Sequence, residues 1–401
     1  MPGSVKPPPP RRLLRRAAAV GGALLVILLC LWLAAYLSTP HSQLARTLVW
    51  LEADVDDWKR FPARTVERAG PVFDFTAPTA EQARAFDRAL STTVTEKTGE
   101  PPGDFLERTS TTALLAIQSD VLVHEEYLGG YERESTQTSF SMAKSVVSAL
   151  VGIAIAEGAI GGVDDPITEY VPELLDRDPR FAAITIRDLL TMSSGIAYTE
   201  LGMPFSDDAT TYYAPDLRDV AVSAKISEEP GRRFHYNNFH PLLLGLILER
   251  TTGECVACFL EDRLWSRLGM EADGSWSLDS EASGFEKMES GLNGRAIDFA
   301  KFGRLFLEGG NWNGEQLIPS EWVEESTRVD DESDPADFYQ YLWWVTPRED
   351  RPHFYARGNF GQYIYVAPEK DLVLVRFGRD AGDADWPALL TAIADAVDAP
   401  G

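Results

Sequence analysis

Residues 141–156 read SMAKSVVSALVGIAIA. Val147, Leu150, Val151 and Ala154 recur at helical spacing. The segment is nearly apolar all round, which predicts a central, buried helix rather than a surface one. Lys144 is the single charge between Met142 and Ala156. A buried charge needs a partner or a task. Any fold of this chain must therefore wrap a core around this helix and still give Lys144 something to do.

Ser141 opens the helix, and a spacing of three puts Lys144 on the same face one turn along. A serine hydroxyl is a weak nucleophile at neutral pH and needs an activating base. A partly desolvated lysine can lose its proton near neutrality. The positive helix N-terminus favours developing negative charge, and the Ser141 N–H points there too. Alone, S-x-x-K is more often a capping serine beside a solvated lysine. The apolar surroundings of Lys144 argue against that bland reading.

Two further stretches carry candidate chemistry. Residues 230–238, PGRRFHYNN, form a loop before an apolar helix over 242–251. A phenol titrates near 10 and needs tuning to act as a base, which an ammonium close to Tyr236 supplies. Asn238 can hydrogen-bond a lysine and a substrate carbonyl at once. Gly358, Asn359, Phe360, Gly361 and Gln362 lead into a strand over 363–367. Glycines there allow close backbone approach, and a strand edge beside the nucleophile offers a second oxyanion N–H. The bland alternatives are a buried tyrosine with a satisfied hydroxyl and a plain turn.

Around these sites the pattern is mixed. Residues 113–118 and 121–127 are apolar, partly β-branched runs joined by Ser119 and Asp120, which reads as a hairpin. Residues 165–310 read as mostly helical, with helices over 186–192, 242–251 and 295–309. Residues 341–345, 363–367 and 372–377 read as strands, and 386–397 as a closing helix. Strands near both ends with helices between them predict an α+β fold. One antiparallel sheet, flanked by helices and built from both termini, would carry an inserted all-helical lobe.

The N-terminus stands apart. Arg11, Arg12, Arg15 and Arg16 precede an uncharged apolar run of 21 residues, 17–37, and about 20 such residues suffice to cross a bilayer as a helix. The arginines favour a cytoplasmic N-terminus and an extracytoplasmic remainder. A cleaved signal peptide is the rival reading, with a shorter apolar core of about 7–15 residues. The expected organisation is a cytoplasmic tail at 1–16, a single-pass inner-membrane anchor at 17–37, a lead-in at 38–105 and a catalytic domain at 106–397. The formal net charge of −25 repels polynucleotides and excludes a nucleic-acid partner. Cys255 and Cys258 form a lone C-x-x-C without further ligands for zinc. Within a helical run over 251–268 their spacing puts both thiols on one face, and helix packing is expected for them. No metal or organic cofactor is expected.

Together, Ser141 and Lys144, then Tyr236-Asn237-Asn238, then a glycine-bearing strand resemble the serine β-lactamase and penicillin-binding superfamily, in its class C-like branch. Residues 184–195, ITIRDLLTMSSG, resemble a further stretch of that branch. The likeness spans about residues 105–395. Arg357-Gly358-Asn359 replaces the Lys-Thr-Gly or His-x-Gly of many members, and this form resembles the 6-aminohexanoate-dimer hydrolase and esterase group. Tyr341-Leu342-Trp343-Trp344 fits that group too, with Tyr341 or Trp344 expected to line the pocket. The resemblance implies an acyl-enzyme on Ser141, Tyr236 coupled to Lys144 as base, and the Ser141 and Asn359 N–H groups as oxyanion hole. A small ester or amide would be the substrate. Alternatives are a D,D-peptidase acting on peptidoglycan and an acylated sensor domain that does not turn over. The five histidines and the lack of G-x-S-x-G give no Ser-His-Asp triad, and His235 is read as packed.

Overall fold

The structure is a computed structural model. It describes residues 11–200, 204–330, 335–348 and 352–399. A seven-stranded, wholly antiparallel sheet takes its strands from both ends of the chain. Its order is Val121–Tyr127, Thr111–Gln118, Leu372–Gly378, Gln362–Ala367, His353–Gly358, Trp343–Thr346 and Tyr339–Gln340. Both faces are covered, so the inner strands are apolar throughout rather than alternating. Along Thr111–Gln118 the period of two sorts side chains between two cores. Ala113, Leu115 and Ile117 face the core that holds the helix Met142–Ala156. Leu114 and Ala116 face the helices Ala80–Thr98 and Trp386–Ala396.

The helix Met142–Ala156 is buried from its first residue to Ala154. Phe239–Thr252 packs beside it, ending on Gly253 in the left-handed conformation. The shorter helices Ile186–Leu190, Asp207–Tyr213, Leu217–Val222 and Val256–Arg263 complete the inserted lobe. Thr185 and Asp188 form a capping box that fixes the start of Ile186–Leu190.

Several local expectations change. The lobe is not all-helical. Gly274–Ser277 and Leu292–Arg295 pair there in a second sheet with Ala63–Val66 and Thr136–Thr138. These strands are four residues or shorter, and Gly274–Ser277 and Leu292–Arg295 mix glycine with polar residues, so they carry no period-two signal. The lead-in is woven into the fold through Ala63–Val66 and through Ala80–Thr98, which packs on Trp386–Ala396.

The stretch 251–268 is not one helix, because Gly253 caps the first and Cys255 starts the next. Cys255 and Cys258 do not merely pack. They are joined by a disulfide, with Cα atoms 5.1 Å apart. The strand expected over 341–345 begins only at Trp343. Tyr341 and Leu342 both have positive φ and form a tight turn after Tyr339–Gln340.

The N-terminal helix Arg11–Leu37 contains an apolar stretch, Ala18–Leu37, long enough to cross a membrane, and none of that stretch is buried among the described residues.

Candidate active site

Ser141 sits at the N-cap of Met142–Ala156 without using its hydroxyl as a cap. That hydroxyl instead accepts a 2.8 Å hydrogen bond from Lys144 Nζ. Lys144 is 1% exposed. Its second acceptor is the backbone carbonyl of Glu289, at 2.9 Å. The same ammonium lies 4.9 Å from the centre of the Tyr236 ring. Three segments far apart in sequence thus converge on one nitrogen.

The elbow before Ser141 is shaped by sterics. Phe140 has a φ of 50°, and its ring meets Phe360 edge-on at 5.3 Å. Gly358 ends its strand against this elbow, where a Cβ would stand 2.2 Å from the Ser139 carbonyl oxygen. Glycine is therefore required for the strand to close on the nucleophile. The turn Asn359–Gly361 follows. Arg376, buried over Trp386, holds that turn by donating to the carbonyls of Phe360 and Gly361. Its other bonds reach the Thr109 and Asp380 carbonyls and the Thr111 hydroxyl. Burial pushes its guanidinium down to about 9.

These groups open into a cleft of about 810 Å³ lined by Ser141, Tyr236, Asn238, Trp344, Gly358 and Asn359, among others. Tyr236 stacks on Trp344 at 5.9 Å, and the exposed Arg357 guanidinium lies 5.8 Å from the same indole. Asn238 does not reach Lys144. Its amide nitrogen donates to Tyr198 Oη at 2.7 Å, and its Oδ1 is buried with no partner among the described residues.

Tyr341 does not line this cleft. The turn at 341–342 carries it onto the helix Ser320–Thr327, where it is buried against Trp322 and its hydroxyl accepts from Arg187 at 2.6 Å. His235 is half-buried, its ring edge-on to Tyr198. His240 lies deeper, bonded to Ser194 Oγ at 2.6 Å. Burial, with help from His235 and Lys144, pushes it down to about 3, so it stays neutral.

Sequence reasoning missed several lining groups. Glu289 belongs to a run, 286–289, that the motifs above do not include. Glu286, Lys287 and Glu289 are all buried. Lys287 satisfies itself on Glu289 at 2.9 Å and over the Tyr212 ring. Leu51, Glu52 and Ala53 from the lead-in, and Tyr198, Asp208, Tyr212 and Tyr213 from the lobe, also line the cleft. Nothing in their local pattern marks them.

A two-lobed α+β fold with a serine–lysine pair at the start of its central helix defines the class of serine β-lactamase-like hydrolases. The family model described as Beta-lactamase matches residues 103–398, and the chain belongs to that family. It is 27% identical over 307 residues to the 6-aminohexanoate-dimer hydrolase of Paenarthrobacter ureafaciens, covering 70% of this chain and 74% of that one. Esterase EstB of Burkholderia gladioli is 28% identical over 153 residues, covering 35% of this chain and 38% of the esterase. A solved structure named "Putative 6-aminohexanoate-dimer hydrolase from Bacillus anthracis" superposes with a TM-score of 0.74 at 24% identity. It covers 86% of this chain and 95% of that one. The chain is thus a hydrolase of the β-lactamase superfamily, whose relatives include amide- and ester-cleaving enzymes.

Proposed function

We propose that the chain is a membrane-anchored, extracytoplasmic serine hydrolase that cleaves an ester or amide through an acyl-enzyme on Ser141. The observation that carries this reading is the 2.8 Å bond between Lys144 Nζ and Ser141 Oγ at the wall of an open cleft, with the lysine buried. Tyr236, whose ring centre lies 4.9 Å from Lys144 Nζ, takes the Ser141 proton as Oγ attacks the substrate carbonyl. The N–H groups of Ser141 and Asn359 hold the oxyanion, one at a helix N-terminus and one at the turn that Arg376 braces. The proton passes from Tyr236 to the leaving alcohol or amine. Water then attacks the acyl-enzyme and releases the acid. Asn238 lines the cleft, with its Oδ1 buried and without a partner among the described residues.

The cleft lining sets the substrate's polarity. Glu52, Glu200, Asp208, Glu289 and Asp385 line it, against Arg357 and no other arginine or lysine among the described residues. Such a lining favours neutral or amine-bearing substrates over carboxylates, which weighs against penicillins and peptidoglycan stems. Placement outside the cytoplasm is supported by the apolar helix, the arginines before it and the Cys255–Cys258 disulfide, a bond rare in reducing compartments. The test is a steady-state panel: p-nitrophenyl esters, a 6-aminohexanoate dimer and other small amides, and penicillin. Turnover of an ester or amide that exceeds turnover of penicillin supports the proposal. Stable acylation by penicillin with no turnover of anything else contradicts it.

A further inference from the structure

The segment leaving the apolar helix is also part of the cleft. Ser38 continues the helix by donating its N–H to the Ala34 carbonyl at 3.1 Å, and the Thr39 hydroxyl donates to the Tyr36 carbonyl at 2.8 Å. The short helix Gln43–Trp50 follows, and Arg46 bolts it down from inside. Arg46 is buried and donates to the carbonyls of Thr39, Pro40, Tyr213 and Ala214. Gln43 bonds Thr210 Oγ1 at 3.0 Å. Thr210 and Tyr213 belong to Asp207–Tyr213, the helix that supplies Asp208, Ala209, Tyr212 and Tyr213 to the cleft. The next three residues, Leu51, Glu52 and Ala53, line the cleft themselves. A short turn, Thr39–His41, and one eight-residue helix, about 12 Å long, separate the end of the apolar span from the cleft rim.

The outward face of this segment is apolar. Leu44 and Leu48 lie one turn apart on the helix Gln43–Trp50, Leu51 follows at its end, and the three are 46%, 55% and 65% exposed. Phe205, 82% exposed, follows Pro204, whose carbonyl accepts from Gln43. Charge tells the same story. In a chain with 62 acidic residues, none occurs before Glu52. The one arginine between residues 17 and 51 is the buried Arg46. A segment free of carboxylates up to Leu51, continuous with a membrane-length helix, fits a bilayer surface.

We infer that the face formed by Leu44, Leu48, Leu51 and Phe205 rests in the headgroup region of the membrane, and that the cleft takes its substrate from the bilayer. This deepens, and rests on, the anchored-hydrolase reading above. The substrate class is then an uncharged amphiphile with an ester or amide near its headgroup. For an ester, the acyl–oxygen bond breaks, the alcohol leaves with the proton from Tyr236, and water supplies the oxygen of the released acid.

The full-length chain in phosphatidylcholine vesicles tests this. In a Cys30→Ser background, Leu48→Cys labelled with an environment-sensitive fluorophore should be quenched by bromine-substituted lipid; an unquenched label overturns the membrane face. Leu44→Ser/Leu48→Ser should leave hydrolysis of soluble p-nitrophenyl acetate unchanged. It should slow hydrolysis of a long-chain monoacylglycerol dissolved in the vesicles about tenfold or more. Equal effects on the two esters, or cleavage of the acetate but not the monoacylglycerol by wild type, overturn the substrate assignment. Cleavage of neither ester by wild type removes the hydrolase reading itself, while the quenching result still decides the membrane face.

Discussion

Gly358→Ala isolates one physical requirement of the site. The φ of Gly358 is −117° and its ψ 165°, so alanine suffers no backbone penalty there. The whole effect is steric. The new Cβ would meet Ser139 O at 2.2 Å, Gln362 Cβ at 3.1 Å and Phe140 Cβ at 3.2 Å. Carbon–oxygen contacts settle at about 3.3 Å, so the strand end and the elbow must separate by about 1 Å. Neither partner is a flexible side-chain tip. The elbow carries Ser141 and the strand end carries Asn359, so both proposed oxyanion donors lose register. A 1 Å misplacement, or the loss of one donor, costs about 100-fold in kcat. That corresponds to about 2.7 kcal/mol of barrier, while overpacking should cost about 1–3 kcal/mol of stability. Gly162→Ala, where a Cβ would meet nothing within 4 Å, is the control. The assay is kcat and KM on a soluble ester, with circular dichroism and urea unfolding on both variants. A folded Gly358→Ala enzyme with wild-type kcat would refute the reasoning.

Arg376→Met should cost about 3 kcal/mol or more in urea unfolding, since it strands buried carbonyls, and should also lower kcat by loosening the turn at Phe360 and Gly361. Arg376→Lys should recover only part of both losses, because an ammonium lacks the planar fork. His240 is pushed down to about 3 in the folded state, against an ordinary value near 6.5. Between those limits the unfolded chain holds a proton that the folded chain does not, so stability falls as pH falls. The loss from pH 6.5 to 5 should be about 2 kcal/mol. His240→Gln should remove that portion of the pH dependence, as measured by unfolding at both pH values; an unchanged slope would count against the assignment. Alkylation of the unfolded, unreduced chain should label Cys30 alone, and labelling of Cys255 or Cys258 would contradict the disulfide.

What the sequence reveals here follows the range of the forces involved. The helix Met142–Ala156 is legible because its apolar character is local, and one charge in it is conspicuous. The mixed sheet-and-helix architecture follows from apolar runs at the two ends of the chain. The pairing of Thr111–Gln118 with Leu372–Gly378 is a contact across more than 250 residues that no local pattern encodes. Tyr341 was misread because a tight turn between two non-glycine residues is imposed by burial against Trp322 and Arg187, not by turn chemistry. Glu289 was missed because its charge is matched inside the protein by Lys287, two residues away, and a paired charge looks like a surface charge in sequence. The cleft contribution of 51–53 depends on Arg46 finding carbonyls more than 160 residues on.

The central claim is that Ser141 is a nucleophile activated by Lys144. A fluorophosphonate probe with intact-protein mass spectrometry on the full-length chain tests it directly. Wild type should gain one adduct, mapped to Ser141, while Ser141→Ala gains none and Lys144→Ala reacts at least about 1,000-fold more slowly. A folded wild type that stays unlabelled, or a Ser141→Ala variant labelled at the same rate, would contradict the account.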